Sequence, residues 1–164
     1  MILAIVGPGR SGKDTVARWL RDHTPMRFTR GSSEAAATIV WEAMRSPNSS
    51  IWPPVRYETP EECWQDRHAF RADWARIIGE YNTPDKTRLY REMLRDQDII
   101  VGLRWADELA ACTKAGMFQL VMYVHRPACH DSTCQITPEM ADVVINNTGT
   151  EPELFCKLSH LFGF

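Results

Sequence analysis

An unbroken apolar run, Ile2-Leu3-Ala4-Ile5-Val6, stops at Gly7-Pro8-Gly9, and a helical pattern follows at once. Val16, Trp19 and Leu20 recur at helical spacing up to about Asp22. A run without alternation suits a strand buried on both faces, as in a parallel sheet. Such a strand needs helices above and below it, so this opening segment already restricts the chain to a layered α/β fold.

The rest of the chain repeats the pattern. Met26 to Thr29 reads as a weak strand, and Ser33 to Met44 as a helix with Ala36, Ile39, Val40 and Ala43 inward. Ser46 to Glu58 is a proline-rich loop that holds Trp52. Thr59-Pro60-Glu61-Glu62 is a capping-box helix start, and that helix is expected to run to about Tyr81. Its apolar face carries Cys63, Phe70, Trp74, Ile77 and Tyr81, and its flank carries Trp64, Arg67, His68 and Arg71. Thr83-Pro84 opens a further helix. Asp98 to Gly102, Phe118 to Val124 and Asp142 to Ile145 read as strands, separated by a helix over Trp105 to Ala115. Thr150 to Glu153 is a second capping box before a leucine helix. Alternating strands and helices predict βαβ crossovers and one five-stranded parallel sheet in a three-layer sandwich. The 164 residues make one domain.

Gly7-Pro8-Gly9-Arg10-Ser11-Gly12-Lys13 fits the phosphate-loop pattern G-x-x-x-x-G-K, between a buried strand and a helix. The glycines let backbone N–H groups wrap a phosphate chain, and the helix N-terminus adds partial positive charge. Lys13 would reach the β- and γ-phosphates. Asp14 stands where Ser or Thr usually holds magnesium, with Thr15 one place later.

The stretch Arg10-Ser11-Gly12-Lys13-Asp14-Thr15 resembles the loop of bacteriophage deoxynucleoside monophosphate kinases, in the nucleotide-kinase branch of the P-loop proteins. Three other stretches agree. Ile99 to Arg104 followed by Glu108 resembles the family's third-strand element. Val124-His125-Arg126-Pro127 resembles the strand-to-lid junction, and Asn146 to Thr150 the segment near the nucleotide base. One departure stands out: Gly102 takes the place of an acidic residue, so Asp14 or Asp66 would have to serve magnesium in its stead.

The resemblance implies ATP and Mg2+ as cofactors and a (deoxy)nucleoside monophosphate as acceptor. It implies catalytic roles for Lys13, Asp14, Arg104 and Arg126. Gly7, Gly9, Arg10, Ser11, Gly12, Lys13, Asp14, Thr15, Arg126, Thr148 and Gly149 would hold the nucleotide, with Thr15 and Asp14 at the metal. Arginines suit an acceptor phosphate because a guanidinium grips its oxygens in pairs. Arg67, Arg71 and Arg104, with Trp64 and Asp66, are the acceptor candidates. Asp66 and Asp73 serve equally well as salt-bridge partners. Trp52, Trp64, Trp74 and Trp105 are candidates for an acceptor-base pocket; Trp52 and Trp64 are the better stacking candidates, and Trp74 reads as core. Residues 126–137 form a short lid-like loop. Its Cys129, His130, Asp131 and Cys134 are too few and poorly spaced for zinc.

Two other functions fit the same residues. A related kinase acting on 5-hydroxymethyluracil within DNA would need a carboxylate base for its neutral hydroxyl, and Asp14 is placed for that. A nucleotide-binding switch without turnover is the third. Net charge is −2, which advertises no general affinity for nucleic acid or membrane. No apolar run is long enough to span a bilayer. The five scattered cysteines and the lack of a leader pattern point to reduced thiols in a cytoplasm, that of the host cell if a phage encodes the chain. The reading leaves a homodimer open.

Overall fold

A computed structural model describes residues 1–46 and 57–163. Four parallel strands form one sheet: β1 (Leu3–Val6), β2 (Ile99–Val101), β3 (Leu120–His125) and β4 (Val143–Asn146), in the order β2-β1-β3-β4. Every residue of β1 is fully buried. Ala4 and Val6 face one core and Leu3 and Ile5 the other, which is why the run shows no alternation.

Helices cover both faces. On one lie α1 (Lys13–His23) and α8 (Glu151–Phe162), which bring Val16, Leu20, Leu154 and Leu158 against the sheet. The other face packs α3 (Ala37–Arg45), α4 (Pro60–Gln65), α5 (Arg71–Tyr81), α6 (Arg88–Met93) and α7 (Ala106–Lys114). A short helix, α2 (Ser32–Ala35), precedes α3. The three-layer α/β sandwich is as expected from the alternating pattern.

The fifth strand is not present among the described residues. Met26 to Thr29 lies along the β2 edge, but side chains stand where a ladder would run. Arg27 N donates to the Asp98 carboxylate at 2.9 Å, and only the Arg27 carbonyl accepts from the backbone of Asp98 and Ile99. The Gln97 amide donates to the carbonyls of Ile99 and Arg30, which a paired strand would need. Propensity was therefore overridden by one buried glutamine.

The helix expected over 60–81 is also interrupted. Thr59 caps α4 by accepting from Glu62 N, while the Glu62 carboxylate reaches back to Glu58 N. At the far end the Arg67 guanidinium donates to Trp64 O at 2.9 Å and lies over the Trp64 ring. That cap ends α4, and turns carry the chain to α5. The helix expected over 33–44 breaks at Ala36 into α2 and α3. The capping box of α8 forms as read, with Thr150 and Glu153.

Candidate active site

The C-terminal ends of all four strands open on one side, where ligands of open α/β sheets bind. From β1 comes the glycine loop. Gly7 has φ 131°, and a Cβ there would meet the Val124 carbonyl at 2.6 Å. Gly12 has φ 102°, and its missing side chain makes room for Asn147. Asn147, just past β4, donates from Nδ2 to Ser11 O at 2.8 Å. Loop and sheet end are thus fastened together.

Lys13 is 7% exposed. Its ammonium donates to Pro8 O and lies 3.5 Å from Ser11 Oγ. Burial, with Arg104 next to it, lowers its pKa to about 8. Asp14, on the first turn of α1, is exposed, and its charge faces both Lys13 and Arg67.

β2 supplies Arg104. Gly102 before it has φ 99°, and a Cβ there would strike Ser32 Oγ. With that positive φ and that contact, a side chain at this place is strained, and glycine puts no carboxylate at the end of β2. Arg104 Nη1 donates to Asp131 Oδ2 at 2.6 Å and to Thr133 Oγ1 at 2.8 Å. Arg71 Nη2, from the start of α5, donates to the same Asp131 oxygen at 2.8 Å, and so does Gly9 N. Burial by itself would raise the Asp131 pKa. The Thr133 hydroxyl, Arg104 and the Gly9 N–H outweigh it and hold the carboxyl far below the usual range.

Beyond this carboxylate lies a cleft of about 590 Å³, counting its open mouth. Arg67, His68, Arg71 and Arg104 line it together with Trp74, Ile78, Tyr90, Trp105 and Glu108. Glu108 is fully buried and accepts from Tyr90 OH at 2.6 Å and Asn82 Nδ2 at 2.9 Å. Burial raises its pKa. Among the described residues, two buried donors that belong to cleft-lining side chains have no partner, Trp74 Nε1 and Arg71 Nε. A cleft lined by both cations and aromatic rings fits a ligand with an anionic group and a planar body.

No family model matches the chain, and no curated protein matches it. Among solved structures, the chain is similar to an unliganded sugar kinase from Janibacter sp. HTCC2649. The two share 13% identity at a TM-score of 0.47, covering 98% of this chain and 93% of that one.

Of the glycine-loop residues, Gly9 lies against Arg71 and donates to Asp131, and Lys13 lies in the field of that carboxylate, which Arg71 and Arg104 also grip; Gly7 and Ser11 lie together next to Val124, and Gly12 lies against Asn147. Arg67 joins them in the cleft although it lies outside the helix that carries Arg71. Arg10 is exposed, and its charge acts on His68 along with those of Arg67, Arg71 and Arg104. Thr15 is half-buried on α1. Trp64 donates from Nε1 to Ser33 Oγ and lies under Arg67, so it backs two residues of the cleft lining without being part of that lining. Asp66 is exposed and accepts from Tyr57 OH. Asp73 pairs with Arg76. Arg126, Thr148 and Gly149 are exposed, and Gly149 lies against the Glu153 carboxylate of the α8 cap. Trp52 lies outside the described residues. Asp131 was not singled out from sequence for this role. Asp131 meets Gly9 across 122 positions and Arg71 across 60, a pairing no local pattern signals. Trp74 carried the signal of a core residue, and it is one, apart from its N–H.

Proposed function

We propose that this chain is an ATP-dependent phosphotransferase that moves the γ-phosphate to a (deoxy)nucleoside monophosphate. One observation carries the reading. The glycine loop with its buried lysine and the arginines of the aromatic cleft share a boundary, the Asp131 carboxylate, which both sides grip. A donor phosphate chain in the loop and an acceptor phosphate on Arg67, Arg71 and Arg104 would therefore meet end to end.

The chemistry asks for positioning and charge neutralisation. Backbone N–H groups of residues 7–13 and the start of α1 bind the donor oxygens. Lys13 neutralises charge near the transferred group, and Arg104, whose field already reaches Lys13, bridges donor and acceptor sides. The acceptor phosphate is itself an anion, so no base is needed. Asp14 and Thr15 present hard oxygen atoms beside the loop, and these suit magnesium, which would offset phosphate charge when bound. The acceptor base would lie among Trp74, Tyr90 and Trp105, its ring acceptor facing Trp74 Nε1.

A kinase acting on hydroxymethyluracil in DNA is the second reading. The exposed Arg10 and Arg126, outside the cleft lining, favour it as contacts for a strand backbone. Incubation with γ-labelled ATP and magnesium, with the four deoxynucleoside monophosphates in one set and hydroxymethyluracil DNA in another, separates the two. Label in a diphosphate product supports the first reading. Label in DNA alone replaces it with the second, and ATP unbound at millimolar concentration ends both.

A further inference from the structure

The Asp131 side chain is 1% exposed, yet it sits on a loop. One of its oxygens, Oδ2, takes Gly9 N at 2.8 Å, Arg71 at 2.8 Å and Arg104 at 2.6 Å. The other, Oδ1, turns back to Thr133 N and Oγ1 at 3.1 and 2.6 Å. A single oxygen thus sits at the meeting point of a backbone N–H from the glycine loop and two guanidinium groups. That donor set recognises a phosphoryl oxygen.

The fit of the carboxylate to this set is incomplete. Arg71 Nε, on the same guanidinium that grips Oδ2, is buried and has no acceptor. A carboxylate that spends one oxygen on its own loop cannot reach it, whereas a tetrahedral phosphoryl group brings three. Charge is unbalanced in the same sense. Lys13, Arg10, Arg67, Arg71 and Arg104 surround the region and outnumber Asp14, Glu34 and Asp131. Residues 127–134 are fastened to the body of the described chain through Asp131 and through Thr133, which accepts from Arg104. Their other bonds, Cys129 N to Arg126 O, Cys134 N to Asp131 O and Cys134 Sγ to Ile136 O, are local, and Cys134 at the end of the segment packs against the core.

We propose that Asp131 is a built-in competitor: its carboxylate holds an oxyanion site made by Gly9 N–H, Arg71 and Arg104, and a phosphoryl-bearing ligand enters by displacing it and releasing residues 127–134. This rests on the phosphotransferase reading and adds regulation to it, since the seated loop and a bound phosphate exclude each other. A tethered anion competes at high effective concentration. It lowers the apparent affinity of the ligand by the fraction of molecules in which the site is open.

The test is equilibrium binding of inorganic pyrophosphate and of Mg–ATP to wild type, Asp131→Asn and Asp131→Ala, with thermal melts alongside. Asp131→Asn keeps the shape and a carbonyl for Thr133 while removing the charge, so it guards against a fold lost in the alanine variant. The expected result is binding roughly tenfold tighter in both variants. The ligand-free melting temperature falls, and ligand raises it by more than in wild type. Equal or weaker binding by Asp131→Asn, with wild type binding and turning over normally, makes Asp131 a fixed clamp. That overturns this inference and leaves the phosphotransferase standing. No pyrophosphate or ATP binding by any of the three proteins removes both.

Discussion

The glycine loop and the arginine cleft lie on either side of one carboxylate, yet they are built in opposite ways. The loop is one continuous stretch, Gly7 to Lys13, whose shape follows from where its glycines stand. The cleft draws on α2, the turn after α4, α5, α6, the end of β2 and α7. Backbone dominates the loop and side chains dominate the cleft. The difference teaches where each is vulnerable. The loop fails when a conformation is denied, while the cleft fails one charge or one donor at a time.

Four experiments set the two sides against each other. The largest effect belongs to Lys13→Ala, which should cut phosphoryl transfer by about a thousandfold, because the ammonium neutralises the transferring group. Acceptor binding, measured separately by titration with a nucleoside monophosphate, should change little. A matching loss there would mean that loop and cleft are one site.

Arg104→Ala comes second, since this residue touches both sides. It should cost about a hundredfold in kcat/KM for the acceptor and leave the buried Asp131 with less compensation. Arg104 is 27% exposed, so the stability loss is about 2 kcal/mol, readable as a lower melting temperature.

Trp74→Phe sharpens the contrast on the cleft side alone. It deletes the unpaired N–H while keeping an aromatic ring. The acceptor KM should rise about tenfold, the worth of one buried hydrogen bond, with the ATP KM unchanged. An unchanged acceptor KM would place that N–H outside the contacts made to the acceptor.

The smallest effect is a pH dependence on the loop side. With the Lys13 pKa at about 8, kcat/KM for ATP should fall as pH rises through that value, well before an ordinary lysine titrates. Stability moves the other way. The unfolded chain keeps its proton up to the ordinary lysine value of 10.5 while the folded one has lost it, so this group makes stability rise between about pH 8 and 10.5. Lys13→Met should flatten both curves, as denaturant midpoints and rate profiles would show.

This division also explains what could be read from the sequence. β1 and its loop were legible because burial on both faces and glycine spacing are local signals. The four strands and the α8 capping box were legible for the same reason. The segment from Met26 was misread as a strand because the Gln97 amide, far along the chain, takes the carbonyls that pairing needed. The continuous helix through Arg67 does not form because the Arg67 side chain, an acceptor-phosphate candidate on the helix flank, donates to Trp64 O where α4 ends. Asp131 was invisible as a site residue, since its partners come together only through the order of the strands. Gly102 showed as a departure from the resembled pattern, but its contact with Ser32 needed the fold.

The most direct test of the whole account is a crystal structure of the protein with Mg–ATP. The account predicts the β- and γ-phosphates against the backbone N–H groups of residues 9–13, with the Lys13 ammonium moved from Pro8 O onto phosphate oxygen. A nucleotide bound elsewhere, with Lys13 still on Pro8 O, would contradict it.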